Sequence, residues 1–225
     1  MDKENFKNYV YEDLKKKIVM GELQPGAVIN EKIYAQEMGV SRTPVHEAVQ
    51  RLAHEGMVVI IPRCGTIVSH ISVEDVRQLY ELRKMLEPQI VKLAAERADR
   101  EKLAYYRDYY ADMGVKGIKN NDVKDTDGEA SWLLGDSDNE FHMFLAESTG
   151  NRFIIEYIKE AMTQTMRIRC LSNEQSESRF LSACNEHVAI IDAMLEGDGE
   201  SAALEMTKHL ENSEKGFKVC KIQLC

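Results

Sequence analysis

No run of eighteen consecutive apolar residues occurs in the 225-residue chain, so no membrane-spanning helix is expected. The opening segment, MDKENFKNYVYEDLKKK, has no apolar stretch behind its charges, and a secretory signal is not expected either. Cysteine is scarce and unpatterned: Cys64, Cys170, Cys184, Cys220 and Cys225 are odd in number and form no Cys-x-x-Cys pair. That argues against a disulfide framework or a Cys-based zinc site, and for reduced thiols in the cytoplasm. Repeats, heptad arrays and low-complexity tracts are missing too. The basic excess typical of nucleic-acid binders is also lacking, because the formal net charge is −9. Residues 1–70 hold nine Lys/Arg against nine Asp/Glu, and the rest hold twenty against twenty-nine. The whole acid excess therefore lies behind residue 70. What remains is 44% hydrophobic and 30% charged, enough for one large globular domain or two modest ones.

Apolar residues recur at helical spacing from Phe6 through Val10, Leu14 and Ile18, and the pattern stops at Gly21. GELQPG reads as a connector, and Asn30 as the N-cap of a short helix, EKIYAQEM, ending at Gly39. Ser41 opens a third helix, RTPVHEAVQRLAHEG, with Val45, Val49 and Leu52 on one face and Pro44 tolerated in the first turn. VVII and TIVSHI read as two strands joined by a PRCG turn. Helix, helix, tight turn, helix and hairpin make a winged helix-turn-helix. Ala35 is small enough for close helix approach, and Gly39 can adopt the left-handed turn.

Ser72 with Asp75 resembles a capping box, which places a domain boundary near residues 69–72. The expected division is 1–70 for a DNA-binding domain and 71–225 for an all-helical sensing and dimerisation domain. Helices are expected over roughly 73–98, 100–114, 129–148, 151–171, 177–196 and 199–217, with 115–128 as a mobile loop. The fold class is thus mainly α, a winged helix-turn-helix followed by an antiparallel bundle of six or seven helices.

The third helix would enter the major groove of duplex DNA with its first turn, which offers Ser41, Arg42 and Thr43. Arg42 can give two hydrogen bonds to a guanine edge, and His46, one turn on, can reach a base or a phosphate. Lys32 and Arg63 are candidates for phosphate or minor-groove contacts, and Gly65 would let the wing backbone approach. Singly these are ordinary surface residues; inside a helix-turn-helix with a wing they form an interface. INEKIYAQEMGVSRTPVHEAVQRLAHEGMV followed by PRCGTIV resembles the DNA-binding domain of GntR-type regulators. The resemblance implies operator contacts at Lys32, Arg42, Thr43, His46 and Gly65. It also marks two departures, since the family usually has arginine where His46 stands and often a basic residue where Cys64 stands.

In the second half, His142 shares a helical stripe with Leu134, Asp138, Phe141 and Leu145. His187 falls with Phe180, Cys184, Val188, Ile191 and Leu195, and His209 with Met206, Leu210 and Phe217. All three point toward a bundle interior, and Asp138 lies on the same face as His142. One carboxylate and three imidazoles in a core are costly unless they are paired or bound to a cation. They are either separately satisfied polar residues or the ligands of one divalent metal. Three nitrogens and one oxygen suit zinc, which we place first, or nickel, manganese or iron(II). Arg83 lies on the inward stripe of Val76, Leu79, Tyr80, Leu86 and Ile90. It wants a carboxylate, either in an ion pair with Glu87, Glu140 or Asp138, or on an effector. DNEFHMFL, NEHVAIIDAMLEGD and AALEMTKHL resemble the FCD domain of the FadR/VanR-type branch of GntR regulators. That resemblance implies metal ligation by Asp138, His142, His187 and His209, and organic-acid binding at the arginine of ELRKMLEP, Arg83.

Three functions compete. One is a homodimeric repressor or activator on a near-palindromic operator, responding to a small carboxylate held by the metal and Arg83. Another is a regulator for which the metal itself is the signal. The third is a metal-dependent enzyme with Glu140 or Glu186 as base. It is disfavoured because both glutamates should point away from the ligand stripes and because it leaves the DNA-reading segment unexplained.

Overall fold

Residues 3–63, 65–119, 129–172 and 177–217 are described by the computed structural model of the chain. They belong to two compact units, Met1–Ile71 and Ser72–Cys225.

The first unit contains α1 (Lys3–Val19), β1 (Val28–Ile29), α2 (Glu31–Glu37), α3 (Arg42–His54), β2 (Val58–Ile61) and β3 (Gly65–Val68). Val10, Leu14 and Ile18 form the apolar stripe of α1, which packs on α3 through Val45, Val49 and Leu52, all fully buried. Each such side chain contributes roughly 1.5–3 kcal/mol of hydrophobic stabilisation. Asn30 caps α2 by accepting from the backbone N–H groups of Lys32 and Ile33 at 3.1 and 3.2 Å. The helix ends at Gly39, whose φ of 65° lets Val40 N–H reach back to the Ala35 carbonyl at 3.0 Å. Glycine avoids the Cβ clash of that left-handed turn, and α3 starts three residues later at Arg42.

The sheet has the order β1-β3-β2 and is antiparallel throughout, with Val28 opposite Ile67 and Val58 opposite Val68. Strand β1 follows the GELQPG connector at residues to which the sequence patterns assign no element. Two residues are too few to show an alternating pattern. Strand β3 stops at Val68, short of the TIVSHI run. One further bond, from Ser69 N–H to the Met57 carbonyl, closes the ladder before the chain turns into the next helix.

The second unit shows six helices among its described residues: α4 (Val73–Arg97), α5 (Arg100–Lys119), α6 (Glu129–Ser148), α7 (Arg152–Leu171), α8 (Glu177–Glu196) and α9 (Gly199–Phe217). Ser72 and Asp75 complete a reciprocal capping box at the start of α4, with bonds of 2.7 and 3.0 Å. Pro88 lies inside α4 and has no N–H to offer the carbonyl one turn back, yet the helix continues to Arg97. Helix α4 packs on α9, α5 on α8, and α6 on α7. Their shared core includes Leu103, Tyr110, Phe141, Leu145, Ile190, Met206 and Leu210. Helix α5 runs five residues past the expected end at 114, because one glycine costs a helix only about 1 kcal/mol. The expected loop therefore begins no earlier than residue 120, and 120–128 lie outside the described residues. The architecture is mainly α, with a winged helix-turn-helix ahead of an all-helical bundle, as the sequence patterns lead one to expect.

Candidate metal centre and nucleic-acid interface

Three helices deliver the candidate ligands. Asp138 and His142 sit one turn apart on α6, His187 comes from α8 and His209 from α9, and all are at most 3% exposed. One donor atom from each lies within 4.8 Å of the others. Asp138 Oδ1 is 3.2 Å from His187 Nε2 and 3.8 Å from Nε2 of both His142 and His209. Ligands about 2.0–2.2 Å from a common ion stand roughly 2.8–3.6 Å apart at tetrahedral or adjacent octahedral positions. The distances from Asp138 to the three imidazoles are close to the spacing an ion would need.

The far side of two rings settles which nitrogen is free. His142 Nδ1 lies 2.5 Å from Glu87 Oε2, and His209 Nδ1 lies 2.9 Å from Glu186 Oε2. The hydrogen bond to Glu186 puts the proton of His209 on Nδ1 and leaves Nε2 with its lone pair toward the other ligands, and the contact with Glu87 orients the His142 ring the same way. The donor set thus fits a divalent cation in both composition and tautomer. Glu186 points away from the α8 stripe, as expected, but the sequence reading did not foresee its partner on α9. It leaves the α8 stripe that holds His187, but in doing so it faces α9 and meets His209 there. Glu140 is exposed, as expected.

Arg83 is 1% exposed, and of the three carboxylates considered for it the structure selects Glu87. Its Nε donates to Glu87 Oε1 at 2.5 Å and its Nη1 to Thr165 Oγ1 at 3.3 Å. Arg83, Glu87 and His142 therefore form one chain that ends at the four-ligand cluster. Arg169 of α7 was not anticipated. Its Nη2 donates to Asp138 Oδ2 at 2.8 Å, turning Oδ1 toward the imidazoles.

These contacts shape the titrations. Burial pushes the Glu87 carboxyl up, but Arg83 and His142 more than reverse this and hold it at about 2. Burial likewise opposes Asp138, which Arg169 and the histidines hold well below the usual carboxylate range. Burial drives His187 down, and burial with the neighbouring His187 drives His209 down to about 3. Metal-free protein is therefore expected to lose stability as pH falls from about 6.5 toward 3, on the order of a few kcal/mol. The unfolded chain takes up His209's proton in that window and the native state does not. The carboxylate contributions, present above about pH 4.5, are lost only below it. Urea unfolding of chelator-treated protein at pH 7.5, 6 and 5 checks this. A midpoint that does not move would contradict the buried neutral imidazoles.

On the first unit, α3 buries Val45, Ala48, Val49 and Leu52 and turns Ser41, Arg42, Thr43 and His46 outward. Ser41 stands at the N-cap position but its hydroxyl makes no capping bond. Glu31, the first residue of α2, ties two of these side chains together. Its carboxylate accepts from Arg42 Nε at 3.1 Å and lies 3.1 Å from His46 Nδ1. Arg42 thus keeps its terminal nitrogens for another partner while its stem is held. Lys32 and Arg63 are exposed. Arg63 has φ 66° in the hairpin turn, and Gly65 has φ 111°, a conformation that side chains rarely adopt. No atom lies within 4 Å of a Cβ built on Gly65, so the backbone conformation alone requires glycine there. The departure at Cys64 lies outside the described residues.

Sequence reasoning missed Glu31, Arg169 and the roles of Glu87 and Glu186 toward the imidazoles. Arg169 did carry a signal, because it stands one turn from the buried Thr165 on α7.

Comparison with known proteins covers both units. Residues 6–68 match the bacterial regulatory proteins of the gntR family, and residues 78–212 match the FCD domain. The chain is 30% identical over 218 residues to the HTH-type transcriptional regulator LutR of Bacillus subtilis, covering 86% of this chain and 93% of LutR. Among solved structures, Escherichia coli McbR/YncC is similar with a TM-score of 0.74 at 19% identity, covering 94% and 95% of the two chains. The metal-free FCD domain of TM0439 is similar with a TM-score of 0.51 at 21% identity, over 66% of this chain and 95% of that one.

Proposed function

Since the chain belongs to the GntR family of DNA-binding transcriptional regulators and carries an FCD domain, we propose that a small organic acid, bound at a divalent ion in its second unit, modulates operator binding. The families matched are regulators and not enzymes, which leaves the metalloenzyme alternative without support. The ion, zinc before nickel, manganese or iron(II), is held by Asp138, His142, His187 and His209. When bound, it supplies a Lewis-acidic centre that attracts a carboxylate. The observation that carries this reading is the convergence of Asp138 Oδ1 with three Nε2 atoms, two of whose rings are fixed from behind by Glu87 and Glu186.

Arg83 supplies the second attraction. Glu87 occupies its Nε, while Nη1 makes only the 3.3 Å bond to Thr165 and is available to an anion. On the DNA side, Arg42 with Ser41, Thr43 and His46 reads base edges. Lys32 and Arg63 hold phosphates, and the wing backbone at Gly65 approaches the duplex. The protein acts as a homodimer on a near-palindromic operator in the cytoplasm. No helix among the described residues is long and apolar enough to cross a membrane.

An effector shifts an equilibrium only by its differential affinity for the two states, and a coupling of about 1–3 kcal/mol changes operator affinity about 5- to 150-fold. The test uses a duplex selected from a randomised pool by the purified protein. Zinc alone, added after chelation, is expected to leave affinity nearly unchanged, and zinc with a panel of small carboxylates to shift it by that factor. A full shift with zinc alone would transfer the function to metal sensing. No shift in any arm would overturn the effector reading.

A further inference from the structure

Two guanidinium groups, not one, stand beside the four-ligand cluster, and their charges limit what the effector carries. Arg83 pairs with Glu87 and Arg169 with Asp138, so these four side chains sum to zero. Glu186 is matched by Arg179 at 2.8 Å, and imidazoles that ligate a metal are neutral and add nothing. A divalent ion therefore brings two uncompensated positive charges into a site where Arg83, Glu87 and Asp138 are at most 3% exposed. Buried charge of that size demands compensation. A monocarboxylate supplies half of it, and a dianion supplies all.

The hydrogen-bond inventory points the same way. Arg169 Nη1 is buried and has no hydrogen-bond partner among the described residues, and neither has Tyr157 Oη. Thr165 Oγ1, the weak acceptor for Arg83 Nη1, already donates to the Ala161 carbonyl at 2.8 Å. Arg169 touches the cluster directly through Asp138, and Arg83 reaches it through Glu87 and His142. Asp138 separates the two positive regions, with Oδ1 toward the imidazoles and Oδ2 toward Arg169. A ligand that answers both regions has two charges set apart by a short chain, unlike phosphate, which concentrates them on one centre.

We propose that Arg169 is a second anion anchor beside Arg83, and that the effector is a small dicarboxylate. This rests on the metal reading above, and the experiment separates the two. Zinc-loaded full-length protein is titrated calorimetrically with malonate, succinate and glutarate, with the monoamide of each, and with inorganic phosphate. One dicarboxylate is expected to bind about 10- to 100-fold tighter than its own monoamide and than phosphate, the range of a charge-assisted hydrogen bond. Arg169→Gln keeps one donor for Asp138 Oδ2 and is expected to erase that preference while zinc content, by elemental analysis, stays at wild-type level. Arg169→Lys, which retains the charge, is expected to restore part of it. Equal binding of acid and monoamide, or a preference untouched by Arg169→Gln in zinc-replete protein, overturns the dicarboxylate assignment alone. Wild-type protein that takes up no zinc overturns the metal reading and this one with it.

Discussion

Replacing both His187 and His209 with alanine is expected to leave the purified protein without bound metal and without any thermal response to added zinc. The two side chains supply half of the donor atoms, and the remaining pair, Asp138 and His142, comes from a single helical turn. Two ligands from one helix do not close a tetrahedral or octahedral shell around a buried ion. A ligand that binds only the native state stabilises it by about 4 kcal/mol when its free concentration is a thousandfold above Kd. For a domain of this size that corresponds to a rise of roughly 8–16 °C in Tm. The wild type should show such a rise on zinc addition and the double variant none. Elemental analysis gives the stoichiometry directly, and far-UV circular dichroism confirms that the helices persist. A zinc-to-protein ratio equal to the wild type's would remove these two histidines from the site.

Arg42→Ala carries the second large effect. Arg42 is 72% exposed on its side chain, so its removal leaves no cavity, and its partner Glu31 keeps the contact with His46. What it removes is a two-pronged donor at the leading end of α3, already steadied through Nε by Glu31. A good bidentate contact to guanine discriminates by about 1–3 kcal/mol, so specific affinity should fall about 5- to 150-fold. Affinity for unrelated duplex should change far less, because phosphate contacts made by other residues persist. The slope of log affinity against log salt should stay close to the wild type's for the same reason. Competition binding with selected and scrambled duplexes measures both. Retained sequence preference would place base reading elsewhere.

Helical periodicity made much of this molecule legible from its sequence. The stripes on α6, α8 and α9 sent His142, His187 and His209 inward because a residue three or four positions from a buried apolar side chain shares its face. Turn chemistry was legible on the same local basis at Asn30, Gly39 and Ser72. What escaped depends on contacts between distant segments. Arg169 meets Asp138 across 31 residues and Glu186 meets His209 across 23, and no periodic signal reports such pairings. Glu31 reaches Arg42 and His46 over a tight turn whose angle only the fold defines. Arg83 had three candidate carboxylates, and the neighbour at i+4 on its own helix, Glu87, is the one that took it.

Helix α4 has a mechanical side as well. Its 25 residues run without interruption from the capping box to Arg97, with Glu87 and Pro88 near the middle. About 21 Å of rod separates Glu87 from the first residue of the helix. Proline removes one of the bonds that stiffen such a rod, so bending is easiest there. A tilt of about 5° at that fulcrum would swing the capped end through about 2 Å. The arm ends beside Ile71, where the chain passes into the other unit. Any bend at Pro88 would thus be amplified along the arm before it leaves the helix.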